Sequence, residues 1–268
     1  MIHDLGCTAI GANGQTAAVD ASYGVQVTWD MYKKVFNRNG IDGNGSATYS
    51  RVHYSNSYDN AFWSDRCFCM TYGDGSSFTT LTSMDVAGHE MTHGVTSRTA
   101  NLTYSGESGG LNESHSDIFG TMAEFYRGST GTTIPATGGN WTIGEQLASK
   151  PLRYMAKPST DGRSPDAWSS SLGSLDVHYS SGPMNRCFYF LSQGAASSAS
   201  PYLPGGMTGL GNDKAAHIAY LALSGYMTSN TNYAGARTAY LNAATALYGA
   251  GSTEVTAVAN AFKAINVN

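Results

Sequence analysis

Residues 89–93 read His89-Glu90-Met91-Thr92-His93. On an α-helix, residues four apart lie on one face. Both imidazoles can therefore reach a single ion, while Glu90 projects beside them toward a water on that ion. This is the arrangement of a zinc hydrolase. Zinc accepts imidazole and carboxylate ligands, and a catalytic zinc keeps three protein ligands with one position open to water. The third ligand must come from elsewhere in the chain.

The elements that must carry this motif follow from hydrophobic periodicity. Val25, Trp29, Tyr32 and Phe36 recur at steps of four, three and four, which predicts a helix over about 19–37, ended by Asn39-Gly40. The Gly/Ala/Thr-rich stretch before it reads as loop. Residues 46–82 hold short runs of Thr, Tyr, Val and Phe broken by Ser55-Asn56-Ser57 and Gly73-Asp74-Gly75, a pattern of strands and turns. The pattern turns helical over about 84–98 and again from Leu111 through Ile118, Met122 and Phe125 to about 127. A Gly/Thr/Pro-rich connection runs to Gly144 and a loop-rich region to Ser181, before Ala-rich helices at about 183–193, 212–227, 233–248 and 253–265. Strands first and helices later imply an α+β protein with a helical second domain.

On the predicted helix after the motif stands Asn112-Glu113-Ser114-His115-Ser116-Asp117, with Glu113 twenty residues beyond His93. Here the sequence resembles the thermolysin family of secreted zinc metalloendopeptidases, whose third ligand is the Glu of an Asn-Glu-x-x-Ser-Asp motif at that spacing. The resemblance covers nearly the whole chain. It includes Asn60-Ala61-Phe62-Trp63, Tyr72-Gly73-Asp74-Gly75, Asp85-Val86-Ala87-Gly88, Leu152-Arg153, and Asp176-Val177-His178 followed by Ser181-Gly182. It implies a two-lobed fold: a mixed α/β N-terminal lobe over 1–104 that carries the zinc-binding helix at a cleft floor, and a mainly helical lobe over 105–268.

The resemblance also implies roles for single residues. One catalytic zinc would be held by His89, His93 and Glu113, with Asn112 and Asp117 supporting the ligands, Asp117 by orienting a ligand His. Glu90 would be the general base, taking a proton from the attacking water and delivering it to the leaving amine. Tyr104 and His178 would donate to the tetrahedral oxyanion, with Asp176 orienting His178. Arg153 would bind a substrate carbonyl on the leaving-group side. Asn60 and the Ala61 backbone would pair with an extended peptide by strand addition. Val86 and Leu152, with Phe78 or Leu81, would line an apolar pocket, so cleavage is expected on the N-terminal side of bulky hydrophobic residues. Calcium, one ion rather than two, would be held by Asp85, Glu124 and Glu145 with Asn140 and the Thr142 carbonyl. Asp42-Gly43-Asn44-Gly45 lacks the closing Glu of a calcium loop and is expected to be a turn. His3, His53, His115 and His217 match no motif and are expected to serve packing or the surface.

Composition narrows the remaining classes. Charged residues make up 13% of the 268, with a net charge of −4, and no basic cluster appears, which argues against nucleic acid or an anionic membrane as partner. No apolar stretch approaches the roughly 20 residues that span a bilayer. The protein is expected to be soluble and monomeric, with protein and peptide substrates. Met1-Ile2-His3-Asp4-Leu5 has neither the basic start nor the apolar core of a signal peptide. Polarity carried by Ser, Thr, Asn, Gly and Tyr fits a secreted enzyme whose leader has been removed. Relative to the family the chain lacks much of the strand-rich segment before residue 19, where some relatives have the partner of a cysteine near Cys7, so Cys7 is expected to be unpaired. Cys67 and Cys69, two apart in an expected strand, look poorly placed for a direct bridge, and Cys187 is expected to be buried. Two alternatives stand beside an endopeptidase. A catalytically inactive zinc- or peptide-binding homologue would not need Glu90, Tyr104, Arg153 and His178, and a zinc aminopeptidase usually carries a Gly-x-Met-Glu-Asn run, absent here.

Overall fold

The computed structural model describes residues 2–4 and 13–268. The chain divides into two compact units, Met1–Arg98 with Phe119–Leu152, and Thr99–Ile118 with Arg153–Asn268. Cys7 and the side chain of His3 lie outside the described residues.

In the first unit, helix α1 spans Asn13–Phe36 and begins about six residues before the expected start. The reason is small residues: buried Ala17 and Ala21 extend the stripe that Val27, Met31, Tyr32 and Val35 continue, and alanine is the strongest helix former. Asn37, in the left-handed region at φ 52° that asparagine tolerates at helix ends, ends α1, and the Arg38 N–H donates to the Tyr32 carbonyl at 2.9 Å. The helix thus stops before Asn39-Gly40.

Strands β1 (Ile2–Asp4), β2 (Tyr49–Val52), β3 (Ala61–Ser64) and β4 (Cys69–Tyr72) form a sheet in the order β1-β2-β4-β3. The first two pairings are parallel. β3 and β4 run antiparallel, with Ala61 opposite Tyr72 and Ser64 opposite Cys69. β4 is buried at all of its positions, whereas β3 forms an edge of the sheet. A disulfide joins Cys67 to Cys69, contrary to expectation. Cys67 belongs to the turn and not to a strand: β3 ends at Ser64, β4 begins at Cys69, and Phe68 between the cysteines has φ 53°. That reversal leaves the two Cα atoms 5.2 Å apart, within bridging range.

Helix α2 (Met84–Ser97) is buried along almost its whole length. The Tyr32 and Thr92 hydroxyls, 2.9 Å apart, tie α1 to it. Helix α3 (Gly106–Tyr126) contributes its end to this unit, and a Cβ on Gly88 would stand 2.9 Å from the Gly120 Cα. Only glycines allow so close an approach. The short strand β5 (Thr142–Ile143) follows.

The second unit holds the start of α3, β6 (Arg153–Tyr154), single 3-10 turns at Pro158–Asp161 and Leu172–Ser174, and α4 (Val177–Ser180). α5 (Gly182–Gln193) leads into an antiparallel pair, β7 (Gly194–Ala195) with β8 (Met207–Thr208). Then come α6 (Asn212–Leu221), a π-helical turn at Ala222–Tyr226, α7 (Tyr233–Tyr248) and α8 (Thr253–Ala264). Asn232 and Ser252 cap α7 and α8 by accepting from Gly235 N and Val255 N, which satisfies N–H groups that the helices leave open. Ala215, Ala219, Ala236, Ala243 and Ala261 are fully buried in this unit, as are Phe188, Tyr233, Tyr240 and Phe262. The Tyr240 and Phe262 rings join α7 to α8, with centroids 5.3 Å apart. Cys187 is buried and unbridged in α5. The expected helices over 183–265 thus recur within a few residues, and the fold is α+β with a mixed first unit and a mainly helical second. Among the described residues no helix is long and apolar enough to cross a membrane.

Candidate metal centre and substrate site

On α2, His89 Nε2 and His93 Nε2 lie 3.0 Å apart, with the rings edge to face. His89 and Glu90 are buried and His93 is half-buried. Asp85 in the first turn of α2 complements the positive end of the helix dipole. Behind the motif, the fully buried Tyr72 phenol of β4 is pushed up by burial and then by the Glu90 carboxylate. The α2 helix therefore offers two converging imidazoles and a carboxylate held in a buried setting.

Asn60 precedes the edge strand β3, its Oδ1 accepting from Ala61 N at 3.0 Å and its carbonyl from Gly73 N at 3.0 Å. Both bonds stiffen the start of the strand. Val86 and Leu81 are buried and Leu152 is half-buried. The Leu152 N–H donates to the Ile143 carbonyl at 2.8 Å, and a Cβ at Gly144 would stand 2.7 Å from the Leu152 side chain.

The residues expected to bind calcium come together within the first unit. Asp85 Oδ2 accepts from Gly144 N at 2.5 Å, and its Oδ1 from Ser83 Oγ at 2.6 Å and Val86 N at 2.9 Å. Asn140 Nδ2 bridges Glu124 Oε2 at 3.1 Å and Glu145 Oε1 at 2.9 Å. Thr142 donates to Asn140 Oδ1 through both its N–H and its hydroxyl, and its hydroxyl lies 3.2 Å from Glu145 Oε2. Burial first, then the charges of Asp85 and Glu145, push the Glu124 carboxyl up to about 8. Burial likewise raises Asp85. Ser83 and Gly144 are members of this cluster that the sequence did not single out.

In the second unit the Tyr104 hydroxyl donates to Glu113 Oε1, and His178 Nε2 lies 3.7 Å from Glu113 Oε2. Asp176 caps α4, accepting from the His178 N–H at 3.0 Å, and holds the ring through Nδ1 at 2.8 Å. The His178 backbone N–H and then its ring hold the Asp176 carboxyl below its ordinary value. Asn112 Nδ2 donates to the Leu102 carbonyl at 2.9 Å, fixing the segment that carries Tyr104. Asp117, fully buried, receives Arg153 through Nε at 2.7 Å and Nη2 at 2.6 Å. Asn185 Nδ2 reaches Asp117 Oδ2 at 2.8 Å. Sequence reasoning missed Asn185, whose one visible signal is a polar residue inside the apolar pattern of α5.

The histidines outside the motifs have structural surroundings. His115 is fully buried between the Leu111 carbonyl at 2.7 Å and the Tyr240 hydroxyl at 3.1 Å, and burial lowers it to about 4. His53 Nδ1 lies 2.7 Å from Asp74 Oδ1, and His217 Nδ1 lies 2.9 Å from the Asp213 carbonyl. Asp42 closes its turn by accepting from the Ser46 hydroxyl and then from Asn44 N, which lowers it to about 2.

Residues 7–97 match the thermolysin metallopeptidase catalytic domain, and residues 100–267 match the thermolysin metallopeptidase alpha-helical domain. The chain belongs to the thermolysin metallopeptidase family. It is 56% identical over 266 residues to a transglutaminase-activating metalloprotease of Streptomyces mobaraensis, covering 94% of this chain and 34% of the relative. It is 42% identical to a bacillolysin of Bacillus cereus, covering 94% of this chain and 44% of that protein. The chain thus spans between a third and a half of the length of these curated relatives. Among solved structures it is similar to the precursor of protealysin, a metalloproteinase from Serratia proteamaculans, with a TM-score of 0.77 and 28% identity, covering 100% of this chain and 87% of that one.

Proposed function

We propose that this chain is a secreted zinc-dependent endopeptidase that cuts protein and peptide substrates on the N-terminal side of bulky hydrophobic residues. The observation that carries the reading is the His89–His93 pair converging on α2, with the buried Glu90 next to His89 in the same helix. In this reading Glu113 is the third ligand beside His89 and His93, and two imidazoles with one carboxylate form a donor set that zinc accepts. When bound, zinc supplies a Lewis acid that activates water and polarises a carbonyl.

The protein's own groups account for the rest of the chemistry. Glu90 is the proton shuttle, accepting from the attacking water and passing the proton to the leaving amine. Tyr104 and His178 stabilise developing negative charge on the carbonyl oxygen, His178 kept in place by Asp176. Arg153, its plane set by Asp117, binds a carbonyl on the leaving-group side. The edge of β3 at Asn60 and Ala61 takes an extended peptide as an added strand. Val86 and Leu152 give the apolar preference, which is graded because each methylene contributes about 1–3 kcal/mol.

One calcium held by Asp85, Glu124 and Glu145, with Asn140 and Thr142, belongs to the same proposal. Burial raises Asp85 and Glu124, and the charges of Asp85 and Glu145 raise Glu124 further, a setting that calls for a cation. The protein acts as a monomer. The test is cleavage of an internally quenched peptide blocked at both ends: an endopeptidase cuts it, whereas an aminopeptidase or an inactive homologue leaves it whole.

A further inference from the structure

Four polar side chains of the second unit form one buried chain of hydrogen bonds. Ser114 Oγ donates to Asn185 Oδ1 at 2.7 Å, and Asn185 Nδ2 donates to Asp117 Oδ2 at 2.8 Å. Arg153 closes on Asp117 side-on, Nε to Oδ2 at 2.7 Å and Nη2 to Oδ1 at 2.6 Å. Ser114 and Asp117 are fully buried, Asn185 is 1% exposed, and the Arg153 side chain is 15% exposed.

The polarity of this chain is determined. A carboxamide has one accepting end and one donating end. With Asp117 an acceptor on both oxygens, only the NH2 end of Asn185 can face it, and the carbonyl end then takes the Ser114 hydroxyl. A flipped amide would set a carbonyl oxygen against a buried carboxylate, at the full cost of an unpaired polar contact. Asp117 therefore fixes which way Asn185 points, Ser114 anchors the carbonyl end of that amide, and the anchored Asn185 fixes the plane of the Asp117 carboxylate. A guanidinium fork docks coplanar with the carboxylate it grips, so that plane also sets the plane of Arg153. Engagement through Nε and Nη2 turns the Nη1 edge of Arg153 away from Asp117.

We infer that Asn185, anchored by Ser114, is a positioning residue for Arg153, holding the Asp117 carboxylate in the plane from which the guanidinium can meet a substrate carbonyl. This rests on the substrate-binding role proposed for Arg153. A residue that positions a binding group acts on substrate affinity, so its loss raises KM more than it lowers kcat.

The test measures kinetics of the zinc-loaded protein on the doubly blocked quenched peptide for wild type, Asn185→Leu, Ser114→Ala, Arg153→Ala and the Asn185→Leu/Arg153→Ala double variant, each checked by a melting curve. Asn185→Leu keeps the volume and removes both polar ends. It is expected to raise KM about tenfold and to change kcat less than about threefold, and Ser114→Ala to act in the same direction more weakly. In the Arg153→Ala background, Asn185→Leu is expected to add less than about twofold. An equal loss in both backgrounds, or a loss confined to kcat, overturns the inference. If Asn185→Leu does not fold, Asn185→Ser is judged by the same two criteria.

A readout without catalysis separates this inference from the proposed function. The nitrogen-15 signal of the Arg153 Nε–H, assigned by its absence in Arg153→Ala, is expected to exchange with solvent about tenfold faster in Asn185→Leu than in wild type. Unchanged exchange also overturns the inference. A wild-type protein that cuts nothing, yet shows the expected change in exchange, overturns the proposed function and leaves the hold of Asn185 on Arg153 standing.

Discussion

His89 Nε2 and His93 Nε2 face each other at 3.0 Å, one turn apart on α2. Two ring nitrogens at that separation are compatible with a shared proton or with a cation accepting both lone pairs. Zinc is therefore expected to bind at one ion per chain and to stabilise the fold, by about 2.7 kcal/mol at a free concentration 100 times its Kd. Chelation should abolish peptide cleavage, lower the melting temperature, and be reversed by zinc, whereas His93→Ala should lose the zinc-dependent part of the melting temperature. Metal analysis of wild type and variant, with melts in zinc and in chelator, checks this. Equal zinc content and equal melts in the two proteins would refute the assignment.

Glu90, buried and next to His89 in the helix, is the proposed proton shuttle. Glu90→Gln keeps the shape and removes the basic oxygen, so kcat should fall by about 10²–10⁴, with KM within about threefold and zinc content unchanged. Steady-state kinetics and metal analysis of the same preparation measure both. A variant that keeps a tenth or more of wild-type kcat would remove Glu90 from the proton transfer.

What the sequence made legible was whatever repeats or is local. The helix at Tyr233–Tyr248 follows from its alanine-rich run, and His89-Glu90-Met91-Thr92-His93 declares its chemistry because about four residues make one helical turn. The first turns of α1 were hidden because Ala17 and Ala21 bury a stripe too small to register as apolar. The Cys67–Cys69 bridge depends on Phe68 adopting a left-handed backbone that no composition signals. Tyr104 is one of 17 tyrosines and His178 one of 7 histidines, so only the family motif distinguished them. Asn185 stayed invisible for a related reason. Its partners Ser114 and Asp117 are 71 and 68 residues away in the chain, and a hydrogen bond over that separation leaves no local pattern.

Asn140 holds Glu124 and Glu145 together, with Asp85 raising Glu124 further. Without a cation, the charges of Asp85 and Glu145 act on the buried Glu124 with a single amide between them. Calcium is expected to raise the melting temperature and slow self-digestion, while Glu124→Gln should abolish that response. The variant without calcium should be at least as stable as wild type without calcium, because it no longer buries a carboxyl with a raised pKa. Melting curves of both proteins with calcium and with a calcium chelator make the comparison, and a wild-type melt indifferent to calcium would contradict it.

His115 gives the acid limb of stability a specific origin. Its Nδ1 faces the Leu111 carbonyl at 2.7 Å and so carries the proton, leaving Nε2 to accept from Tyr240 at 3.1 Å. The buried ring is thus held neutral, with burial lowering its folded-state value to about 4 from 6.5. Between those two values the unfolded chain binds a proton that the folded chain does not, so stability is fully present above about 6.5 and is lost as pH falls toward 4. The loss should be on the order of 2 kcal/mol at about pH 5. His115→Gln, which can still bond to both neighbours, should flatten this part of the curve. Denaturant unfolding of metal-free wild type and variant across the window isolates the contribution, since carboxylates and metal release are then common to both. Parallel curves would show that His115 does not set the acid limit.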